Sequence, residues 1–122
     1  MHEASAIEAV VKIVAEEAVK RGAPGAPRRV LAVHLVVGEA TGHMEESLLF
    51  YFRSLSTGGP AEGAVLDVRY VKPQLRCSSC DRLFERKRFS FECPHCGGQG
   101  VLTKIGSEFY IDSIEIEEAA AE

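Results

Sequence analysis

No stretch of this chain is apolar over the roughly 20 residues that a bilayer-crossing helix requires. A membrane-spanning helix is therefore not expected. The N-terminus lacks the basic start of a secretory leader and carries Glu3, Glu8, Glu16 and Glu17 instead. Residence in the cytoplasm follows as an expectation, and thiols stay reduced there. No Gly-rich phosphate loop occurs, so nucleotide hydrolysis would have to belong to a partner. Positive charge is not in surplus: 14 Lys and Arg stand against 18 Asp and Glu, for a net charge of −4. That argues against a polyanion-binding character for the whole protein. Repeats are missing apart from two Cys-x-x-Cys turns. The only biased tract is the tail from Glu117 to Glu122, which should fray.

What is present suffices for a core. The 122 residues are 46% hydrophobic, which suits one domain, alone or with a small appended module. Ser5 and Glu8 have the spacing of a capping box, so a first helix is expected to begin after residues 1–4. Ile7, Val10, Val11, Val14 and Ala18 recur at helical spacing, and Gly22, Pro24 and Pro27 stop the pattern. Met1-His2-Glu3 would then be a short free arm.

Val30 to Val37 is β-branched and nearly all apolar apart from His34, which reads as a buried strand. His34 is expected to be hydrogen-bonded rather than a ligand. Glu45 to Ser56 reads as a second helix with Leu48, Leu49, Phe52 and Leu55 inward, ended by Gly58, Gly59 and Pro60. Ala64 to Val71 alternates as a second strand, and Phe109 to Glu117 as a last one. The predicted fold class is α+β: a three-stranded sheet with two helices packed on it, plus an inserted zinc ribbon. Residues 1–72 and 105–122 would form the α+β domain, and 73–104 the ribbon. The helical crossover would let the first two strands run parallel.

Cys77-Ser78-Ser79-Cys80 and Cys93-Pro94-His95-Cys96 carry the strongest signal. In a reducing compartment two such turns read as metal ligands before disulfides. Each turn aims both sulfurs at one point, and together they complete the thiolate tetrahedron that zinc accepts. All four positions are Cys, so no coordination site is left open, and a structural zinc is expected. A rubredoxin-type iron would use the same ligands. A redox dithiol would leave the second pair unexplained. His95 reads as a surface residue. Arg76, Arg82, Arg86, Lys87 and Arg88 interleave with Phe84, Phe89 and Phe91, a pattern seen in single-strand binders. Asp81, Glu85 and Glu92 oppose them, and a zinc with four thiolates brings two negative charges. The loaded module is near neutral, nucleic acid is an unlikely partner, and the phenylalanines are expected to fill the ribbon's core.

The N-terminal arm is the second informative feature. His2 stands beside the α-amine of Met1, and amine, imidazole and intervening amides can close fused chelate rings. Nitrogen-rich, tetragonal ligation suits Ni(II) and Cu(II). Glu3 could add charge compensation or an outer ligand.

Taken in order, these pieces resemble the HypA/HybF family of hydrogenase nickel-incorporation proteins. The matching residues are Met1-His2-Glu3, Val37-Gly38-Glu39, Ala61-Glu62-Gly63-Ala64, both Cys-x-x-Cys pairs and Ile114-Glu115-Ile116. The resemblance covers essentially the whole chain. It implies a nickel metallochaperone that holds transient Ni(II) and passes it to the [NiFe]-hydrogenase large-subunit precursor, working with a nickel-handling GTPase. It implies no enzymatic activity. His2 would be the essential nickel ligand, with Met1 and Glu3 beside it. The family often has an aspartate shortly after the Gly-Glu turn; here that place holds Met44, flanked by His43 and Glu45. Either neighbour is a candidate extra ligand, His43 by its imidazole, although Glu45 is equally a first-turn acid suited to a helix dipole. The competing class is a zinc-ribbon adaptor for proteins or nucleic acid, without a nickel role.

Overall fold

A computed structural model of the chain describes residues 2–23, 25–87 and 89–118. Expectations placed on Met1 as a ligand, Pro24 as a helix stop, Arg88 as a basic group and residues 119–122 as a frayed tail lie outside the described residues.

Helix α1 runs Glu3–Arg21 and buries Ala6, Ile7, Val10, Val14 and Ala18; of the expected face Val11 is only half-buried, and Ala6 joins it. It starts earlier than the Ser5–Glu8 capping box suggested. His2 is the N-cap, and its Nδ1 accepts the Ala4 N–H at 3.2 Å. An imidazole nitrogen supplies the acceptor that a cap needs, so Ser5 sits inside the helix instead of before it. His2 and Glu3 are thus part of the helix terminus rather than free. Gly22 ends α1, its N–H reaching Val19 O at 3.2 Å.

Strand β1 (Val30–Gly38) is buried along almost its whole length. It lies centrally in a sheet of order β2-β1-β6, with β2 at Val65–Val71 and β6 at Phe109–Ile116. Its buried residues fall on both faces of the strand, which explains why its apolar run is nearly continuous. Gly38 N–H bonds to Glu108 O at 2.7 Å, and Glu117 N–H to Arg29 O at 3.0 Å. Partner numbers fall as β1 advances, so β6 is antiparallel to it. On the other side Val30 N–H reaches Pro60 O and His34 meets Asp67, so numbers rise together, as the predicted parallel pair requires.

A single 3₁₀ turn (Glu39–Thr41) leads toward helix α2 (Glu45–Ser56), whose bounds agree with the sequence reading. Leu48 and Phe52 are buried and α2 packs against α1. Leu55, expected inside, is 40% exposed, and Ser56 takes the buried place. From Phe52 a step of four residues leads to Ser56 on the same side, whereas Leu55 falls toward the edge of the stripe. The buried Ser56 hydroxyl is accommodated by bonding to Arg53 O at 3.4 Å.

Three short strands form a second sheet of order β4-β3-β5: β3 (Gln74–Cys77), β4 (Leu83–Glu85) and β5 (Gly100–Leu102). Both edges pair antiparallel to β3, with Leu75 opposite Phe84 and Leu102. The chain divides into two compact units, one of Met1–Leu35, His43–Val68 and Ile111–Glu122, the other of Val36–Gly42 and Arg69–Tyr110. No helix among the described residues is long and apolar enough to cross a membrane.

His34 stitches the first sheet. Its Nδ1 lies 2.8 Å from Asp67 Oδ2 on β2, and its Nε2 lies 2.5 Å from Glu115 Oε2 on β6. A neutral imidazole has one N–H and cannot donate to both carboxylates. The hydrogen bond to Glu115, then that to Asp67, raises the His34 pKa above 6.5. Because the folded-state value is raised, the stabilisation is complete below the unfolded-state value and fades as pH rises through the folded one. The urea midpoint of the wild type should therefore exceed that of His34→Gln by more at about pH 5.5 than at about pH 9. A difference independent of pH would show that the cross-strand pairing contributes nothing.

Candidate metal centres

The second unit is built around sulfur. Leu75, Cys77, Phe84 and Cys93 form a buried cluster in it, with Cys80 and Phe91 packed against it. Phe84 and Phe91 fill the core as expected, and the Arg86 guanidinium stacks 4.6 Å above the Phe91 ring. Phe89 does not join them: it is 87% exposed and has positive φ (60°), in a turn that points its side chain outward.

Cys77 closes β3, and Cys80 follows in the turn before β4. Cys93 and Cys96 form the matching turn before β5. Cys77 and Cys93 are buried, Cys80 is half-buried and Cys96 is exposed. Sγ of Cys77 lies 3.4 Å from that of Cys96, and Sγ of Cys80 lies 3.7 Å from that of Cys93. All four sulfurs fall within 4.8 Å of one another. A tetrahedron with arms of about 2.3 Å has edges of about 3.8 Å, so the cage has the size of a four-thiolate metal site.

Backbone amides point at the sulfurs. Ser79 N–H and Cys80 N–H donate to Cys77 Sγ at 3.3 and 3.4 Å, and His95 N–H donates to Cys93 Sγ at 3.4 Å. Each turn closes with an amide of the residue after its second cysteine, Asp81 N–H to Cys77 O and Gly97 N–H to Cys93 O. That residue must be left-handed: Gly97 has φ 76° and Asp81 φ 62°. In the second turn a glycine takes this place without steric cost. In the first turn an aspartate, which tolerates this region better than most residues, does the same work. Gly98 is needed for a different reason, since a Cβ there would meet Cys77 Sγ at 3.0 Å.

The amides of Cys80 and then Ser79 pull the Cys77 thiol down to about 6. Cys96 moves oppositely, to about 12. The Gly98 amide favours its thiolate, but the neighbouring sulfurs of Cys77, Cys80 and Cys93 outweigh it. A crowded set of thiols thus keeps a proton that a bound cation would displace. His95 is exposed, as a surface residue should be.

The N-terminal candidates lie in the first unit. His2 is exposed, and its ring centroid is 6.5 Å from that of Tyr51 on α2. Glu3 Oε2 accepts the Met44 N–H at 2.9 Å and lies 4.0 Å from His43 Nδ1. The His43 side chain is only 9% exposed and that of Glu3 26%. Glu45 is exposed in the first turn of α2, beside Glu46. The structure therefore brings Glu3 and His43 together. Among the described residues the four cysteines are the one group of three or more His, Cys, Asp or Glu close enough to hold a metal, so the arm is no preformed cage. Tyr51 and the Met44 amide were not singled out from the sequence. Their signal was α2 itself: Tyr51 follows Met44 by seven residues, two turns, and so faces the same way.

Comparison with known proteins places these features in a family. Residues 1–116 match the family model described as "Hydrogenase/urease nickel incorporation, metallochaperone, hypA". The hydrogenase maturation factor HypA of Caldanaerobacter subterraneus subsp. tengcongensis is 48% identical over 118 residues, covering 96% of this chain and all of that protein. The protein of the same name from Geobacter sulfurreducens is 35% identical over 117 residues, again covering 96% of this chain and all of the relative. The solution structure of the nickel metallochaperone HypA from Helicobacter pylori superposes with TM-score 0.62 at 23% identity, covering 95% of this chain and 97% of that one. A second HypA solution structure gives 0.69 at 22% identity, with 96% and 97% coverage. At these identities the two structures support the fold: two helices, small sheets and a zinc-ribbon-like cysteine cluster.

The ribbon core is small, so its order should depend on the bound metal. A chelator under reducing conditions should release one metal equivalent and abolish most amide-exchange protection at Leu75 and Cys77, while α1 stays helical by circular dichroism. Protection that survived complete metal removal would show that the ribbon holds itself together by packing alone.

Proposed function

Because the chain belongs to the HypA family of hydrogenase nickel-incorporation metallochaperones, we propose that it binds Ni(II) at its N-terminus and delivers it to the precursor of a [NiFe]-hydrogenase large subunit. The observation that carries this reading is the position of His2, an exposed imidazole at the N-cap of α1, with Glu3 and His43 next to the same helix end. In this reading the amide nitrogen of His2 and the α-amine of Met1 are adjacent donors. The six-membered chelate ring from a histidine's amide nitrogen to its imidazole closes through Nδ1. That atom now accepts the Ala4 N–H, a local bond of 3.2 Å that loading would exchange for the metal. His43 is the better candidate for a further ligand, since its Nδ1 lies 4.0 Å from Glu3 Oε2.

The four cysteines hold zinc in this reading. Their tetrahedral size and all-sulfur donor set suit it, and the closed set leaves no open position for chemistry on a substrate. The two metals then differ in exchange. Thiolates wrapped by backbone amides release their ion slowly, whereas an exposed chelate at a chain end can be attacked by an incoming ligand. Delivery proceeds by stepwise ligand exchange in the cytoplasm, and no substrate bond is made or broken, so the protein is a carrier and not an enzyme. A GTPase partner supplies nucleotide hydrolysis.

Untagged wild type should bind one nickel equivalent that His2→Ala removes, while zinc content stays at one equivalent in both. Protons compete for the amine and imidazole nitrogens, so nickel affinity should fall by at least about tenfold from pH 8 to pH 6. Residues left before Met1 by a cleaved tag should weaken binding similarly. Nickel binding unaffected by His2→Ala, or flat across this pH range, would leave a zinc-ribbon adaptor as the better description.

A further inference from the structure

The two acidic and basic groups of the arm are not equivalent in their commitments. Helix α2 starts at Glu45 with Met44 as its N-cap, and the Met44 side chain does not cap it, because methionine has no acceptor of the required kind. A capping box would return a Glu or Gln carboxyl oxygen from the third helical position to the N-cap N–H. That position is Ser47, which is too short. The missing acceptor comes from the other helix: Glu3 Oε2 takes the Met44 N–H at 2.9 Å, across 41 residues of sequence. The same oxygen faces His43 Nδ1 at 4.0 Å, and the His43 side chain is nearly covered there. A metal that claimed this oxygen would have to take it from Met44.

The geometry points to Glu3 as a positioning residue: its carboxylate caps α2 from the start of α1 and so keeps His43 beside the N-terminal arm, instead of serving as a metal ligand. This rests on the nickel reading above and assigns the roles within it. His2 binds, and the bond that its Nδ1 would give up is a local one, to the Ala4 N–H. Glu3 holds together the two helix ends that carry the candidate donors. Its carboxylate also lies at the positive ends of both helices, where a negative charge is favoured.

Charge and acceptor can be separated. Glu3→Gln keeps a carbonyl oxygen at the end of an equally long side chain, able to accept the Met44 N–H, but loses the anionic donor. Glu3→Ala loses both. Both variants are made in the untagged, zinc-loaded full chain. Two quantities are read: hydrogen exchange of the Met44 amide before nickel is added, and affinity in a Ni(II) titration. Glu3→Gln is expected to keep Met44 protected and nickel affinity within about threefold of wild type. Glu3→Ala should speed Met44 exchange and weaken nickel binding, each by about tenfold, the usual scale for a lost helix cap. If Glu3→Gln weakens nickel as much as Glu3→Ala while Met44 stays protected, the carboxylate is a ligand and the proposal is overturned. It is also overturned if Glu3→Ala leaves Met44 exchange unchanged. Failure of the nickel reading shows separately, as wild type that binds no nickel or is indifferent to His2→Ala; Met44 exchange then decides the capping role alone.

Discussion

Four thiol sulfurs within 4.8 Å of one another are the harshest constraint in this molecule. As thiolates they repel, and as thiols they waste the amides aimed at them. The opposed displacements of Cys77 and Cys96 express that conflict, one thiol pushed toward ionisation and its neighbour away from it. A divalent cation at the centre resolves it, and little else in the second unit could. Around the cysteines the apolar packing is thin: Leu75, Phe84 and a half-buried Phe91. The left-handed Asp81 and Gly97, and the bare backbone of Gly98, make sense only if the two turns must bring their sulfurs to one point.

The N-terminal end follows a different logic. There the candidate donor His2 is already employed as the cap of α1, and Glu3 as that of α2. A cap bond is local and modest, worth on the order of 1 kcal/mol. A ligand that must break such a bond to bind sacrifices a little affinity and gains a ready competitor that helps release. This suits transient cargo, just as the thiolate cage suits a resident ion.

The sequence was most readable where periodicity and punctuation agreed. The bounds of α2 coincide with the reading because Gly58, Gly59 and Pro60 leave no alternative, and β1 was legible from its unbroken apolar run. The cysteine spacing announced the ribbon. The start of α1 was misplaced because Ser5 and Glu8 match a local capping rule, while the true cap is an imidazole, and the Glu3 oxygen serves a helix 41 residues away. Tertiary partners of that kind leave no local pattern. Leu55 and Phe89 failed for a related reason: hydrophobicity predicts a tendency to be buried, but the edge of a helix stripe and a left-handed turn decided their exposure. His34 was read as hydrogen-bonded, yet its two carboxylate partners come from strands that the sequence keeps far apart.

The position of the ribbon within the chain bears on how the first sheet assembles. β6 can pair with β1 only after the chain has travelled through residues 72–108. If that stretch is unfolded, it is a long loop whose closure costs entropy. Once ordered, its two ends are tied at the base, Thr103 Oγ1 to Gln74 O at 2.6 Å and Gln74 N–H to Ile105 O at 3.4 Å. The loop to be closed then shrinks to about a quarter of its length, which at about 0.6 kcal/mol per halving makes the return of β6 easier by roughly 1 kcal/mol. Metal supply during synthesis would thereby reach a strand that lies outside the ribbon, and a chain starved of that metal would leave the ribosome with β6 slow to find its place.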